Sequence, residues 1–414
     1  MAIIAKDGRI EEHGHNYYAT DPSPGGGESI VLLLFGSYNS DQPEFMKGEK
    51  PVAKHMRIAK NKGMKFIITK PHEPNVLWSY EHPLYPREEK FIFDIIHDHI
   101  ANTGFNPKDV KFVSGNMYVH ESYQGWCKWK QIPHNQQIHV MHRAFWIRYT
   151  VENDPLVAYN HDAEKTRYFS LLNRNYRTHK GDILVEMIKQ GLLEPEYTDK
   201  YYKSFSFYDM ESSSSLIAHN PGIEKYFCSL ENVDPAEFEP DKPMTEVVQS
   251  SELSTVLTTS AFDFVVDYSV IEDKDHSSLH AYQKTFPWHT ENIFSEKTFR
   301  NVAYKRPFIR FGEPHSLHEF RNQYGFKTFD GILFDESYDK ITDYDQRIAA
   351  MVSMIKDIMD NYTLTQLVEK IQSAEVQQVL EYNYIRYTEI LDYLTNSTGI
   401  WDWQERYFVN KLNN

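Results

Sequence analysis

Apolar and polar positions fall in alternating blocks along this chain, and the blocks predict strands followed by helices. Ile30-Val31-Leu32-Leu33-Leu34-Phe35 is an unbroken apolar run closed by Gly36. That is the pattern of a parallel strand covered on both faces. Residues 65–69 form a second short run before Pro71. Between 88 and 101, Phe91, Phe93, Ile95, Ile96 and Ile100 predict a helix, which Gly104 ends. Residues 110–114 and 137–141 predict two further strands. A second series opens with a strand at 167–172, a loop at 173–180 and a helix at 181–190 that stops at Gly191. Strand patterns return at 261–266 and 307–312, whereas 197–241 reads as loop-rich. Asp343 with Gln346 three residues on predicts a capped helix through 358, and 364–394 reads as helical.

Strands alternating with helices predict an α/β protein with doubly wound sheets. A chain of 414 residues fits two domains. The expected division is a flexible lead-in at 1–28, a Rossmann-like domain at 29–155, a second at 156–360 and a helical tail at 361–414 packing on both. In such a pair the carboxyl edges of the strands face each other across a central cleft, where ligands are expected.

The net charge of −15 argues against a strongly basic nucleic-acid binder and against a protein of anionic membrane surfaces. Cys127 and Cys228 are the two cysteines, too few for a disulfide framework, so a reduced, cytoplasmic setting is expected. Residues 1–5 are too short a stretch for a signal peptide, and Asp7, Arg9, Glu11 and Glu12 follow. No run approaches the ~20 apolar residues of a membrane helix, so no membrane insertion is expected.

Three places carry candidate chemistry. The loop 173–180 stands between a strand and a helix, so unpaired backbone N–H groups face its mouth. Arg174, Arg177 and Lys180 add positive charge suited to a diphosphate leaving group. The second place begins at Phe294-Ser295-Glu296-Lys297-Thr298-Phe299. Ser295 suits a helix N-cap. Glu296 suits the first turn and can accept from ribose hydroxyls, and Lys297 can meet a phosphate. Arg310 and Glu313, at the end of the next strand, are candidates for the base or ribose, and His315-Ser316 for a helix start aimed at the diphosphate. The third place is the strand-end loop with His72-Glu73, where Glu73 is the candidate base for an acceptor proton.

The second place continues through Pro307-Phe308-Ile309-Arg310-Phe311-Gly312, Tyr324-Gly325-Phe326-Lys327-Thr328-Phe329 and Asp335-Glu336-Ser337-Tyr338-Asp339. This ordered series resembles the C-terminal half of GT-B glycosyltransferases. Within them it resembles the fucosyltransferase-like group and enzymes of phages and marine microbes. The resemblance covers roughly the last half of the chain. It implies two Rossmann-like domains around a cleft, a nucleotide-sugar as co-substrate and no essential metal. It assigns the ribose to Glu296, the phosphate to Lys297, and the diphosphate to Arg174 or Arg177. It further implies a bacterial cell or a phage-infected host.

The acceptor stays open among a saccharide, a protein and DNA carrying 5-hydroxymethylated pyrimidines. For DNA, the candidate contacts are Lys111, Lys128, Lys130, His134 and Arg143, with Trp126, Trp129 and Trp146 for stacking. A catalytically silent carbohydrate-binding protein is the non-enzyme alternative. Asp335–Asp339 reads as a structural turn. The His97-Asp98-His99, His139–His142 and His13–His15 groups lack metal-ligand spacing on one face. No Gly-x-Gly-x-x-Gly follows a strand and no Gly-x-Ser-x-Gly is present.

Overall fold

The computed structural model describes residues 11–13, 16–20, 28–33, 56–70, 77–78, 90–142, 163–173, 178–205, 210–227, 251–267 and 294–396. The chain divides into two compact units, one of residues 1–145, 281–293 and 392–414, the other of 146–280 and 294–391. The first boundary precedes the expected one at 155. Residues 361–391 of the expected tail belong to the second unit.

The first unit holds a six-stranded sheet. In chain order its first strands are β1 (Glu11–His13), β2 (Asn16–Thr20), β3 (Glu28–Leu33) and β4 (Lys65–Lys70). A separate two-stranded ribbon pairs β5 (Leu77–Trp78) with β6 (Lys90–Phe91). β7 (Val110–Ser114) and β8 (His139–His142) complete the sheet. Its spatial order is β1-β2-β3-β4-β7-β8. β1, β2 and β3 pair antiparallel, and β3, β4, β7 and β8 pair parallel. Part of the expected lead-in is therefore sheet. Its sequence is polar because an antiparallel strand does not need apolar residues on both faces.

Helices of this unit include residues 56–61, α1 (Ile92–Thr103) and α2 (Val119–Lys130). α1 starts later than the pattern predicts, because Lys90 and Phe91 pair in the ribbon. Phe93 on α1 meets Phe112 of β7 edge-on at 5.9 Å and contacts Tyr123 and Trp126 of α2 at 5.0 and 5.7 Å. Phe66, Ile67, Ile68, Phe112 and Val113 are fully buried beside them. Each buried side chain of this size contributes about 1.5–3 kcal/mol.

The second unit holds a four-stranded parallel sheet. β9 (Arg167–Asn173) leads to α3 (Thr178–Lys189), the short α4 (Pro195–Thr198) and β10 (Tyr202–Phe205). α5 (Met210–His219) and α6 (Ser251–Thr259) precede β11 (Ser260–Val266). α7 (Glu296–Ala303), β12 (Phe308–Phe311) and α8 (Ser316–Tyr324) come next. α9 (Tyr344–Asn361), α10 (Leu364–Ile371) and α11 (Ala374–Asn396) end the described chain. Asp343 caps α9 by accepting from the Gln346 N–H at 2.9 Å, as the sequence predicts.

The expected loop region 197–241 contains β10 and α5. Four residues make too short a strand to read from a pattern, and the serines of α5 are weak helix formers that read as loop. The helical tail is fixed to the second unit by backbone contacts. Arg386 Nε donates to the Tyr324 carbonyl at 2.8 Å. Asn383 accepts from the Lys327 N–H at 2.7 Å and donates to its carbonyl at 2.8 Å.

The spatial order is β10-β9-β11-β12, every pair parallel. Both faces are covered, which is why β11 is buried at each of its positions. α7 lies on one face, where Asn301 and Thr298 bond Asp263 and Asp267. α3 and α9 lie on the other. There the Tyr344 hydroxyl donates to Asp182 at 2.8 Å, and the rings of His179 and Tyr344 sit 6.5 and 6.1 Å from Phe311. Among the described residues, no helix is long and apolar enough to cross a membrane.

Candidate functional site at the carboxyl edge of the second sheet

The strand order fixes where a ligand fits. From β9 the chain crosses to β10 on one side, and β11 lies on the other side of β9. Connections leaving these two neighbours diverge, so a crevice opens outside their carboxyl ends. A helix joining parallel strands runs back along the sheet, so α3 and α7 start at this edge, and a helix start favours an anion. The first unit differs. Its parallel strands follow in chain order, and no such switch occurs among the described ones.

On the α7 face the edge is a closed polar network. The Asp267 carboxylate accepts from the Ser295 hydroxyl, from Thr298 Oγ1 at 2.7 Å and from Arg310 Nε at 2.6 Å. Asp263 accepts from Ser170 at 2.7 Å and from Asn301 at 2.9 Å, with Arg300 at 3.6 Å. Ser295, Thr298 and Asn301 recur every three residues, so one stripe of α7 reads both carboxylates. Ser295 also caps the helix, accepting from the Lys297 N–H at 3.2 Å.

Arg310 is completely buried, with its guanidinium 4.1 Å from the centre of the Phe294 ring. A Cβ at Gly312 would overlap that guanidinium, so the glycine makes room for it. Arg310, expected beside the base or ribose, bonds Asp267 through Nε inside the sheet–helix layer. Lys297 is half-buried in the first turn of α7, and the Glu296 side chain lies outside the described residues.

The start of α8 is occupied as well. Asp339 accepts from the Ser316 hydroxyl at 3.0 Å and from the Leu317 N–H at 3.1 Å through both carboxylate oxygens. A carboxylate already fills this helix N-terminus, which corrects the expectation of a diphosphate at His315-Ser316. The acidic residues before it each have a backbone partner. Asp330 accepts from the Glu336 N–H at 3.1 Å and Asp335 from the Ser337 N–H at 2.9 Å. Glu336 accepts from the Phe329 N–H at 2.9 Å and from Arg321 at 3.3 Å. The turn expected at 335–339 is the 3₁₀ helix Glu336–Lys340. Burial pushes the Glu336 carboxyl up to about 7, against the opposing pull of its hydrogen bonds and of Arg321.

The α3 face of the edge is different. Asn173 is the last residue of β9 and 1% exposed, yet its amide nitrogen has no hydrogen-bond partner. Ser170 reaches Asp263 on the α7 face, so three residues later Asn173 points to the α3 face. Lys180 is half-buried in the first turn of α3, while Arg174 and Arg177 lie outside the described residues. The sequence reading placed Asn173 in the candidate loop without a role of its own. Its position as the last strand residue before a basic loop was the available signal.

A solved structure described as a crystal structure of a GtfA/B complex is similar at a TM-score of 0.39 and 12% identity. The likeness covers 87% of this chain and 56% of that one, so this chain spans little more than half of its length. At that level it carries no argument about fold or function. No protein-family model matches the chain, and no curated protein matches it.

In the first unit, Glu73, Arg143 and Trp146 lie outside the described residues. Trp126 is 1% exposed inside the aromatic core, so it is not placed to stack on an extruded base. Trp129 is 44% exposed, with Lys130 Nζ 4.2 Å from its ring centre. His97 Nε2 lies 3.1 Å from the Tyr123 hydroxyl, and burial lowers its pKa to about 4 against the pull of Asp94 and Asp98. Among the described residues, no group of three or more His, Cys, Asp or Glu is placed to hold a metal ion.

Proposed function

We propose that this protein is a nucleotide-sugar-dependent glycosyltransferase whose donor lies at the carboxyl edge of the second sheet, beside β9 and β11. The observation that carries the reading is the parallel order β10-β9-β11-β12, whose switch falls between the strands that lead to α3 and α7. The resemblance of the 294–339 series to GT-B enzymes supports the donor class, and the strand order supports a site at this edge.

In this reading the N–H groups at the start of α3 receive the diphosphate, with Arg174, Arg177 and Lys180 neutralising the charge that grows as the sugar leaves. Glu296 accepts from the ribose hydroxyls, and Lys297 meets a phosphate at the start of α7. Arg310 acts indirectly, by fixing Asp267 and with it the first turn of α7. Glu73 takes the acceptor proton, and no resident metal is required. The acceptor is a saccharide, a protein or 5-hydroxymethylated DNA. Burial of Trp126 removes one of the aromatic contacts the DNA acceptor would use.

The test is a thermal-shift and calorimetric screen with UDP, GDP, ADP, CDP and their sugar conjugates. A ligand at a hundred times its dissociation constant stabilises by about 2.7 kcal/mol. A shift with one nucleoside diphosphate and its sugar conjugate is expected. No shift with any of them contradicts the reading. Incubating the matching sugar nucleotide with saccharide, protein and hydroxymethylated duplex DNA, followed by mass analysis, then decides the acceptor.

A further inference from the structure

We infer that Asn173 is a ligand-contacting residue whose side-chain amide donates a hydrogen bond to a phosphate oxygen of a bound nucleoside diphosphate. The inference rests on the donor site proposed above and gives the first residue of the candidate loop 173–180 a specific role.

The first observation is an unpartnered donor. Asn173 is 1% exposed, and its amide nitrogen has no hydrogen-bond partner. A buried N–H left unpaired is costly, and interiors rarely tolerate one without a reason. Polar side chains on and beside the same sheet have partners for some of their donors. Ser170 donates to Asp263 at 2.7 Å, Arg306 donates to Ser260 at 2.8 Å, and the Asn301 amide donates to Asp263 at 2.9 Å. At the carboxyl edge the amide nitrogen of Asn173 has no partner.

The second observation is position. Asn173 ends β9 at the switch of the strand order and pairs in register with Phe205, the last residue of β10. Its side chain is on the face of α3, whose twelve residues start five positions later at Thr178. His179 in the first turn of α3 is buried, with its ring 6.5 Å from Phe311 at the end of β12. The start of α3 therefore packs against the carboxyl end of the sheet on the side to which Asn173 points.

The third observation is chemistry. A carboxamide N–H₂ is neutral and donates, so it needs an acceptor. A helix N-terminus favours an anionic acceptor, and a phosphate has the geometry and charge for both groups. The amide fixes one phosphate oxygen in place.

The experiment compares the wild-type chain with Asn173→Leu and Asn173→Asp. Calorimetry with UDP, GDP, ADP, CDP and inorganic pyrophosphate gives affinity. Thermal unfolding without ligand gives stability. For Asn173→Leu the expected result is an affinity loss of roughly tenfold or more with an unfolding temperature equal to or above wild type, because an unpaired buried donor has been removed. Asn173→Asp keeps the shape and is expected to lose more affinity, because its carboxylate faces the phosphate. It also provides the answer if the leucine variant does not fold. Wild-type affinity in a folded variant, with lowered stability, overturns the inference in favour of a packing role while leaving the donor site standing. Failure of the wild-type chain to bind any of the five probes overturns both.

Discussion

On the α7 side of the second sheet two carboxylates have donors in place. Asp267 takes Ser295, Thr298 and Arg310, and Asp263 takes Ser170 and Asn301. On the α3 side of the same edge, Asn173 has a buried amide nitrogen without a partner, and a loop carrying Arg174 and Arg177 follows it. The first side is finished by the chain itself. The second has an unpartnered buried donor near the start of a helix, where an anion is favoured. The difference separates conspicuous sequence from the place proposed for the ligand. The described residues of the most recognisable block mostly bond to each other, and the buried amide without a partner stands in a quieter stretch.

The largest expected effect breaks the finished side. Asp267→Ala leaves the Arg310 charge completely buried without its carboxylate. Removing one partner of such a pair costs about 3–5 kcal/mol. Urea denaturation measures it, and a loss near zero would mean that Arg310 is not held as described.

The next effect probes the open side. Arg174→Ala or Arg177→Ala is expected to cost about 1.5–3 kcal/mol in nucleoside-diphosphate affinity, as for one charge-assisted hydrogen bond, with little change in the unfolding midpoint. Calorimetry beside thermal unfolding separates the two. Undiminished affinity in both variants would move the diphosphate away from this loop.

A smaller effect returns to the finished side. Gly312→Ala places a methyl group against the Arg310 guanidinium, which must shift or strain. Overpacking of this kind costs about 1–3 kcal/mol. Donor affinity should fall only as far as α7 moves, so a variant that keeps its stability and loses binding would transfer Gly312 to the ligand site.

The narrowest effect is a slope against pH. The folded-state pKa of Glu336 is pushed up to about 7 from an ordinary value of 4.5, so the folded protein holds this proton more tightly than the unfolded chain. Its contribution is fully present below pH 4.5 and is lost as pH rises through 7. Glu336→Gln stays neutral and should flatten that part of the stability profile. An unchanged slope in the variant would assign the pH dependence elsewhere.

Much of the fold is legible in the pattern of apolar runs. The strands at 65–69, 110–114, 167–172 and 261–266 are present within a residue or two, because each is an apolar run buried on both faces. β1 and β2 are not legible, since an antiparallel pair at a sheet edge needs no apolar run. β10 is too short to show one. The site is legible only in part. The caps at Ser295 and Asp343 follow from residue type and spacing. That Arg310 turns inward depends on Asp267, which is 43 residues away, and no local pattern carries that pairing. Asp339 filling the start of α8 is equally non-local. Asn173 becomes a candidate only when burial and bonding are both known.

Hydrogen exchange of the full chain, with and without a saturating nucleoside diphosphate, tests the central claim most directly. Slowed exchange across 173–180 is expected, with 313–317 and 335–339 unchanged because Asp339 already occupies the start of α8. Slowing at the start of α8 with none at 173–180, or no slowing anywhere, would contradict a donor site beside β9.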